Sequence, residues 1–331
     1  MLVNGTKWLD TDGNPIHAHG GHMLQYDGYW YWYGEDRRDN IYVSVYRSKD
    51  LTNWEFRNHV LTTESKTEPI RVRTDLKLKN EDEETPVAAG ADNADSTKRR
   101  RYKINLERPK VLYNKKLNKF VMWAHYENGR NYLCAGCAIA TCDTPDGDFV
   151  YHGSFNPFGY MSRDCTLYQD DDGTAYFLSA SRGNADMHVY RLTEDYLNVE
   201  ELVAKLWQGE YREAPAVMRR EDGKYFIYSS YCTGWAPNQG KYAWSDGINS
   251  RFSLLEDFGD DTTFHSQPAF ILPLDTEKGK QYIYVGDRWS GREYFSSSYI
   301  FLLIKFDEKG MPYITWNENF ELDPVKGYTE L

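Results

Sequence analysis

Five stretches of this chain open on a short polar cluster and run on into an aromatic strand. The openings are His17-Ala18-His19-Gly20-Gly21, Glu107-Arg108-Pro109-Lys110, Ser162-Arg163-Asp164, Arg212-Glu213-Ala214-Pro215 and His265-Ser266-Gln267-Pro268. The strands that follow are expected at Tyr29–Tyr33, Lys119–Trp123, Ala175–Leu178, Tyr225–Tyr228 and Gln281–Val285. Such a fivefold repeat predicts an all-β fold, a five-bladed β-propeller. In that architecture the innermost strand of each blade converges on one axis. Polar residues far apart in sequence then meet in one pocket.

Turn chemistry agrees with this reading. Asp27-Gly28, Asp172-Gly173 and Asp222-Gly223 stand just before aromatic strands, where Asp-Gly suits tight hairpins. No long segment has a helical period. Aromatic residues are 16% of the chain and suit pleated, half-buried surfaces as well as sugar faces. Residues 1–331 therefore read as one propeller domain. One charged stretch, about 64–103, interrupts it; it carries Glu81-Asp82-Glu83-Glu84 and Lys98-Arg99-Arg100-Arg101 and reads as a long insertion, a flap over one mouth or an oligomer contact. Either Val3–Leu9 or the tail Ile314–Leu331 is expected to pair with blade one and close the ring.

The net charge of −11 argues against a nucleic-acid or anionic-membrane partner. No apolar run is long enough for a transmembrane helix, and the start lacks the features of a signal peptide. With five cysteines, an odd number, this favours reduced thiols and a cytoplasmic location. Cys134-Ala135-Gly136-Cys137 lacks the second ligand pair that zinc needs, so buried thiols are expected and no metal is assigned.

The openings present Glu107, Asp164 and Glu213, with Gln267 and His17/His19 completing the ring. Glycoside hydrolysis needs an acid to protonate the leaving oxygen and a second group to activate water or attack carbon. A further carboxylate can hold the acid's pKa high. Each acid adjoins an arginine, Arg108, Arg163 or Arg212. Strand alternation predicts that an arginine next to an inward acid points away.

These openings resemble glycoside hydrolase family 43, whose members are five-bladed β-propellers. The similarity runs from about Trp8 to Phe306, apart from the insertion. Asp10–Gly21, Tyr31–Glu35, Glu107–Val111, Ser162–Asp164, Arg212–Pro215, Ser266-Gln267 and Gly286–Trp289 are similar to the exo-β-1,3-galactanase branch. The most specific string is Cys232-Thr233-Gly234-Trp235-Ala236-Pro237-Asn238. The resemblance implies Glu213 as general acid and Asp164 as its pKa modulator. The family's usual Asp base is missing from His-Ala-His-Gly-Gly, a departure shared by that branch. There a Gln acts as the base through its imidic-acid tautomer, a role that falls on Gln267, with Glu107 the carboxylate rival. Acid and base should then lie roughly 6.5–9.5 Å apart. His19, Tyr126, Trp235, Asn238, Arg288 and Trp289 are expected to contact sugar; Asp287-Arg288 could instead pair with each other, and His265 could sit on the axis by a cation or water.

The implied activity is inverting, exo-acting release of terminal galactose from β-1,3-galactan or galacto-oligosaccharides. An oligosaccharide or polysaccharide is the expected partner, with no cofactor required beyond an optional structural cation on the axis. The alternatives are an α-L-arabinofuranosidase or β-D-galactofuranosidase on the same scaffold, or a non-catalytic sugar-binding propeller.

Overall fold

The computed structural model describes residues 1–71, 76 and 101–331, with 79–80 and 101–102 as backbone only. The fold is all-β. Among the described residues, five antiparallel sheets follow one another along the chain, each a meander with strands in sequence order. The first holds His19–Tyr26, Tyr29–Glu35, Ile41–Ser48 and Glu55–Thr62. The second holds Asn105–Asn114, Lys119–Glu127, Gly136–Cys142 and Val150–Phe155. The third holds Cys165–Gln169, Ala175–Ser181, Asp186–Leu192 and Val199–Leu206. The fourth holds Arg212–Arg219, Tyr225–Tyr231, Gly240–Ser245 and Glu256–Phe258. The fifth has three strands, Gln267–Thr276, Gly279–Arg288 and Ser298–Leu303. The first strand of each sheet lies against the first strand of the next, and that of the fifth lies against that of the first.

Alternation explains the aromatic content. Along Tyr29–Glu35, Trp30 and Trp32 pack toward the fifth sheet with Trp54, Phe270 and Phe301. Tyr31 and Tyr33 pack toward the second sheet with Val111, Phe120 and Met122. A strand between two sheets buries both faces, so large rings are useful at every position. Burying such a side chain contributes about 1.5–3 kcal/mol. These inter-sheet cores hold the first strands rigid, and their starting ends carry the polar openings.

Four of the five first strands open with a register irregularity, at His19/His22, Glu107/Lys110, Glu213/Ala216 and Pro268/Phe270. Three carry a residue in the left-handed region just inside it, namely Gly20 (φ 57°), Arg108 (φ 53°) and Ala214 (φ 53°). A β-bulge re-aims side chains near a site, so alternation fails where the sequence argument relied on it. At Gly20 a Cβ would also stand 2.7 Å from Glu35 Oε1. The close approach of Glu35, more than a φ that Arg108 and Ala214 also adopt, is what favours glycine at this bulge.

Chain closure differs from expectation. Leu2–Val3 pairs with Asn319–Asp323, and Gly327–Glu330 completes a separate three-stranded sheet. The two proposed closing segments thus pair with each other as strands, and reach blade one through packing and single hydrogen bonds such as Thr52 Oγ1 to Leu322 O. The N-terminal segment also covers the open edge of the fifth sheet: Gly5 N donates to Tyr299 O at 2.8 Å, and Asn4 exchanges hydrogen bonds with the Phe301 backbone. Covering an edge strand removes a site of unwanted pairing.

The flanks of the charged stretch are built into the fold. Lys66–Ile70 runs beside the strand Val150–Phe155, with Thr67 bridged to Tyr151. Leu76 and Ile104 are buried between the first and second sheets. Residues 72–75, 77–78 and 81–100 lie outside the described residues, and with them the acidic cluster, Lys98–Arg100 of the basic one, and the expectation of a flap or oligomer contact. No helix among the described residues is long and apolar enough to cross a membrane.

Candidate active site

The starting ends of the first strands of sheets two to five surround a cavity of about 330 Å³, to which they bring Glu107, Asp164, Glu213 and Gln267, while the first sheet contributes Glu35 from the end of its second strand. Arg108 stands at the cavity's centre. The bulge turns this arginine inward beside Glu107, where it is buried. Its Nε donates to Asp164 Oδ2 at 2.8 Å, its Nη2 to Gln267 Oε1 at 2.5 Å and its Nη1 to Pro268 O at 2.9 Å. Alternation had Arg108 pointing away; it points in. Arg212 does turn away, to Ser229. Arg163 lines the cavity and donates to Tyr132 O.

Glu213 and Asp164 are brought together. The residue after Glu213 donates its backbone N–H to Asp164 Oδ2 at 3.1 Å. Burial, and then the Asp164 charge, push the Glu213 carboxyl up to about 7, although Arg108 opposes this. Glu213 Oε1 accepts from Gln267 Nε2 at 2.9 Å and Oε2 from Asn184 Nδ2 at 3.2 Å. A carboxyl half-protonated near neutrality is what a general acid needs.

Gln267 is in direct contact with Glu213, so this pair does not have the expected 6.5–9.5 Å spacing. The amide's hydrogens go to Glu213 and to Ser230 Oγ at 2.9 Å. Its oxygen accepts from Arg108 and from Trp289 Nε1 at 2.8 Å. Guanidinium and indole can only donate. The O–H of an imidic acid would face two donors in this arrangement, so the contacts hold the ordinary amide.

Glu107 sits in an array of donors. Its Oε1 accepts from Tyr132 OH at 2.8 Å and Arg37 Nη2 at 3.1 Å, and Oε2 lies 3.2 Å from His125 Nδ1. Burial alone would raise its pKa, but His125 and Arg37 outweigh that and hold it down to about 2. Arg37 also binds Glu35 Oε2 at 2.9 Å, bridging two buried carboxylates.

The other expected sugar contacts divide. Trp235, 47% exposed, and Trp289 line the cavity and meet edge to face at 5.7 Å. Tyr126 does not line it; the ring is buried in the core between sheets one and two, because His125 and Glu127 occupy the opposite face of the strand. His19 is buried behind Trp289, its Nδ1 held by Asp287 Oδ1 at 2.9 Å. Asp287 therefore pairs with His19 and not with Arg288. Arg288 reaches back to Phe264 O and stacks on Trp316. Asn238 spends its amide on Tyr231 and Thr233, pinning the loop that carries Trp235. Arg288 and Asn238 line a neighbouring hollow instead. His265 is exposed in a turn with φ 59°, outside any strand.

A solved structure of similar sequence decides the family. An exo-β-1,3-galactanase from Clostridium thermocellum is 41% identical over all of this chain and 68% of its own, with a TM-score of 0.85. This chain belongs to glycoside hydrolase family 43. The family's sequence profile, Glycosyl hydrolases family 43, matches residues 109–252. A Glu-to-Gln variant of the Phanerochaete chrysosporium exo-β-1,3-galactanase, solved with β-1,3-galactotriose, is 34% identical over all of this chain and 70% of its own, with a TM-score of 0.81. A family 43 β-1,3-galactosidase solved with galactodeoxynojirimycin is 30% identical over 97% of this chain and all of its own, also with a TM-score of 0.81. No curated protein sequence matches the chain.

Residues that sequence reasoning missed as site members include Glu35, Arg37, His125, Tyr132 and Asn184, all lining the family 43 pocket. For His125 there was a signal. It stands opposite Glu107 in the ladder, and picking Tyr126 was a choice of the wrong strand face. Tyr132 and Asn184 lie between strands, where no period guides a reading.

Proposed function

We propose that this chain is an inverting, exo-acting glycoside hydrolase that releases terminal galactose from β-1,3-galactan or its oligosaccharides. The observation that carries this is the half-buried Glu213 beside Asp164 in the cavity. Glu213 protonates the leaving oxygen, and the Asp164 charge keeps it protonated until needed. The three galactose-active relatives support the sugar. A five-bladed β-propeller is the architecture this reading uses, supported by the five consecutive sheets and the ring of contacts among their first strands.

The resemblance gives water activation to Gln267. The hydrogen-bond pattern favours Glu107, the ionised acceptor, because Gln267 lies against the acid itself. An inverting base must stand across the anomeric carbon from the acid. Azide tests this: it should restore turnover to Glu107→Ala and leave Gln267→Ala slow. Rescue of Gln267→Ala alone would return the role to Gln267.

The overall reading is tested by incubating the protein with β-1,3-galactotriose and following anomers by proton NMR. We expect galactose to appear first as the α-anomer, since inversion at a β-linked carbon gives α. First appearance of the β-anomer, or turnover of arabinofuranosides or galactofuranosides alone, would overturn it. Binding without release would point to a sugar-binding protein.

The reading needs no cofactor. Glu107, His125 and Asp164 each place one ligand atom within 4.8 Å of the others, a spacing that a metal ion could use. Arg108 on Asp164 and Arg37 on Glu107 put positive charge where an ion would sit. Dialysis against EDTA should therefore leave turnover unchanged. Loss that is restored by a divalent ion would make these three residues metal ligands.

A further inference from the structure

Glu107 is held from behind by a buried chain of polar groups that no step above uses. His125 lies directly opposite Glu107 in the strand ladder, with Nδ1 3.2 Å from Glu107 Oε2. Glu127, two residues on, shares the same strand face, and its Oε1 is 3.0 Å from His125 Nε2. All three are buried, His125 and Glu127 almost completely. Glu127 Oε1 also accepts from Ala135 N at 3.0 Å. That bond ties the far end of the 128–135 loop, whose Tyr132 donates to Glu107 Oε1.

We infer that His125 and Glu127 are positioning residues, a buried relay that fixes Glu107 and the Tyr132 loop as one unit. The argument rests on the Glu107 role proposed above. Burying two carboxylates around one imidazole is costly unless the ring carries a proton on each nitrogen. With both protons present, each nitrogen faces a carboxylate. Burial opposes that charge, yet the two glutamates outweigh it and push His125 up to about 9. The Nδ1 contact is close without being aligned as a hydrogen bond. The imidazolium keeps Glu107 ionised, with an oxygen available to a water proton. When that proton arrives, the relay passes from net −1 to neutral, and Glu127 still balances the ring.

The relay predicts a kinetic pattern and a spectroscopic one. His125→Gln should lower kcat by about 10–100-fold, part of the ~10²–10⁴-fold due to a positioned acid–base group. The loss should be equal on β-1,3-galactobiose and on an aryl β-galactoside, because both need the same water. In ¹⁵N-histidine NMR of the wild type at pH 7.5, His125 should show the imidazolium signature, and Glu127→Gln should convert it to neutral imidazole. Wild-type kcat in His125→Gln, or a neutral His125 in the wild type, would overturn the relay. If the variants fail to fold, the wild-type spectrum alone still decides. If no galactoside is hydrolysed, the enzyme reading fails while the NMR result stands by itself.

Discussion

Glu213→Gln should lower turnover on β-1,3-galactobiose by roughly 10²–10⁴-fold, the usual loss for a missing general acid. Its amide has no proton to give a departing sugar oxygen. An aryl β-galactoside, whose leaving group needs little help, should lose much less. Wild-type activity on galactobiose should fall as pH rises through about 7, where the carboxyl ionises. The variant should lack that alkaline limb. Stability from this group should also fall as pH rises. The group's pKa is raised from 4.5 in the fold, so native protein holds a proton that unfolded protein has lost between those values. Stability from this group is therefore full below pH 4.5 and declines up to about 7. Above that the Gln variant should unfold later than wild type in urea. Equal losses on both substrates, with the alkaline limb intact, would remove Glu213 from the acid role.

The contrast between Glu213 and Arg108 shows where the sequence was readable. Glu213, Asp164, Glu107 and Gln267 open consecutive repeats, and a periodic signal locates them whatever the local backbone does. Trp235 and Trp289 stand in the strings that carried the family resemblance, and both line the cavity. The bulges were not read, although Arg108-Pro109 and Ala214-Pro215 break the strand pattern at the right places. A residue in the left-handed region reverses which side chain faces inward, and only Gly20-Gly21 advertises such a turn by composition. Tyr126 failed for a related reason, since one step along a strand separates a core ring from a site histidine. His19, Asn238 and Arg288 stand near the pocket in the fold, yet His19 Nδ1, Arg288 Nε and the Asn238 amide are already bound elsewhere. Proximity is legible in a repeat, but hydrogen-bond satisfaction is not.

Arg108→Met should destabilise the protein by roughly 3–5 kcal/mol, the cost of removing one partner of a buried ion pair. Met fills similar volume, so the loss is chiefly electrostatic. Asp164 would keep the Ala214 N–H and lose its guanidinium, and the Gln267 oxygen would keep only Trp289. Arg108→Lys should not rescue it, because one ammonium cannot reach Asp164, Gln267 and Pro268 in the fixed geometry of a guanidinium. A urea titration reads this as a fall in midpoint with unchanged slope. Arg163→Met is the control: Arg163 also neighbours an acid in sequence, but none of its nitrogens pairs with a carboxylate among the described residues, and its melting behaviour should barely change. Activity carries a second signature. Arg108 opposes the rise in the Glu213 pKa, so without it the carboxyl should ionise at higher pH and move the alkaline limb upward. An unchanged urea midpoint, or a limb moved downward, would mean that Arg108 does not join the acid, its tuner and the glutamine into one charged cluster.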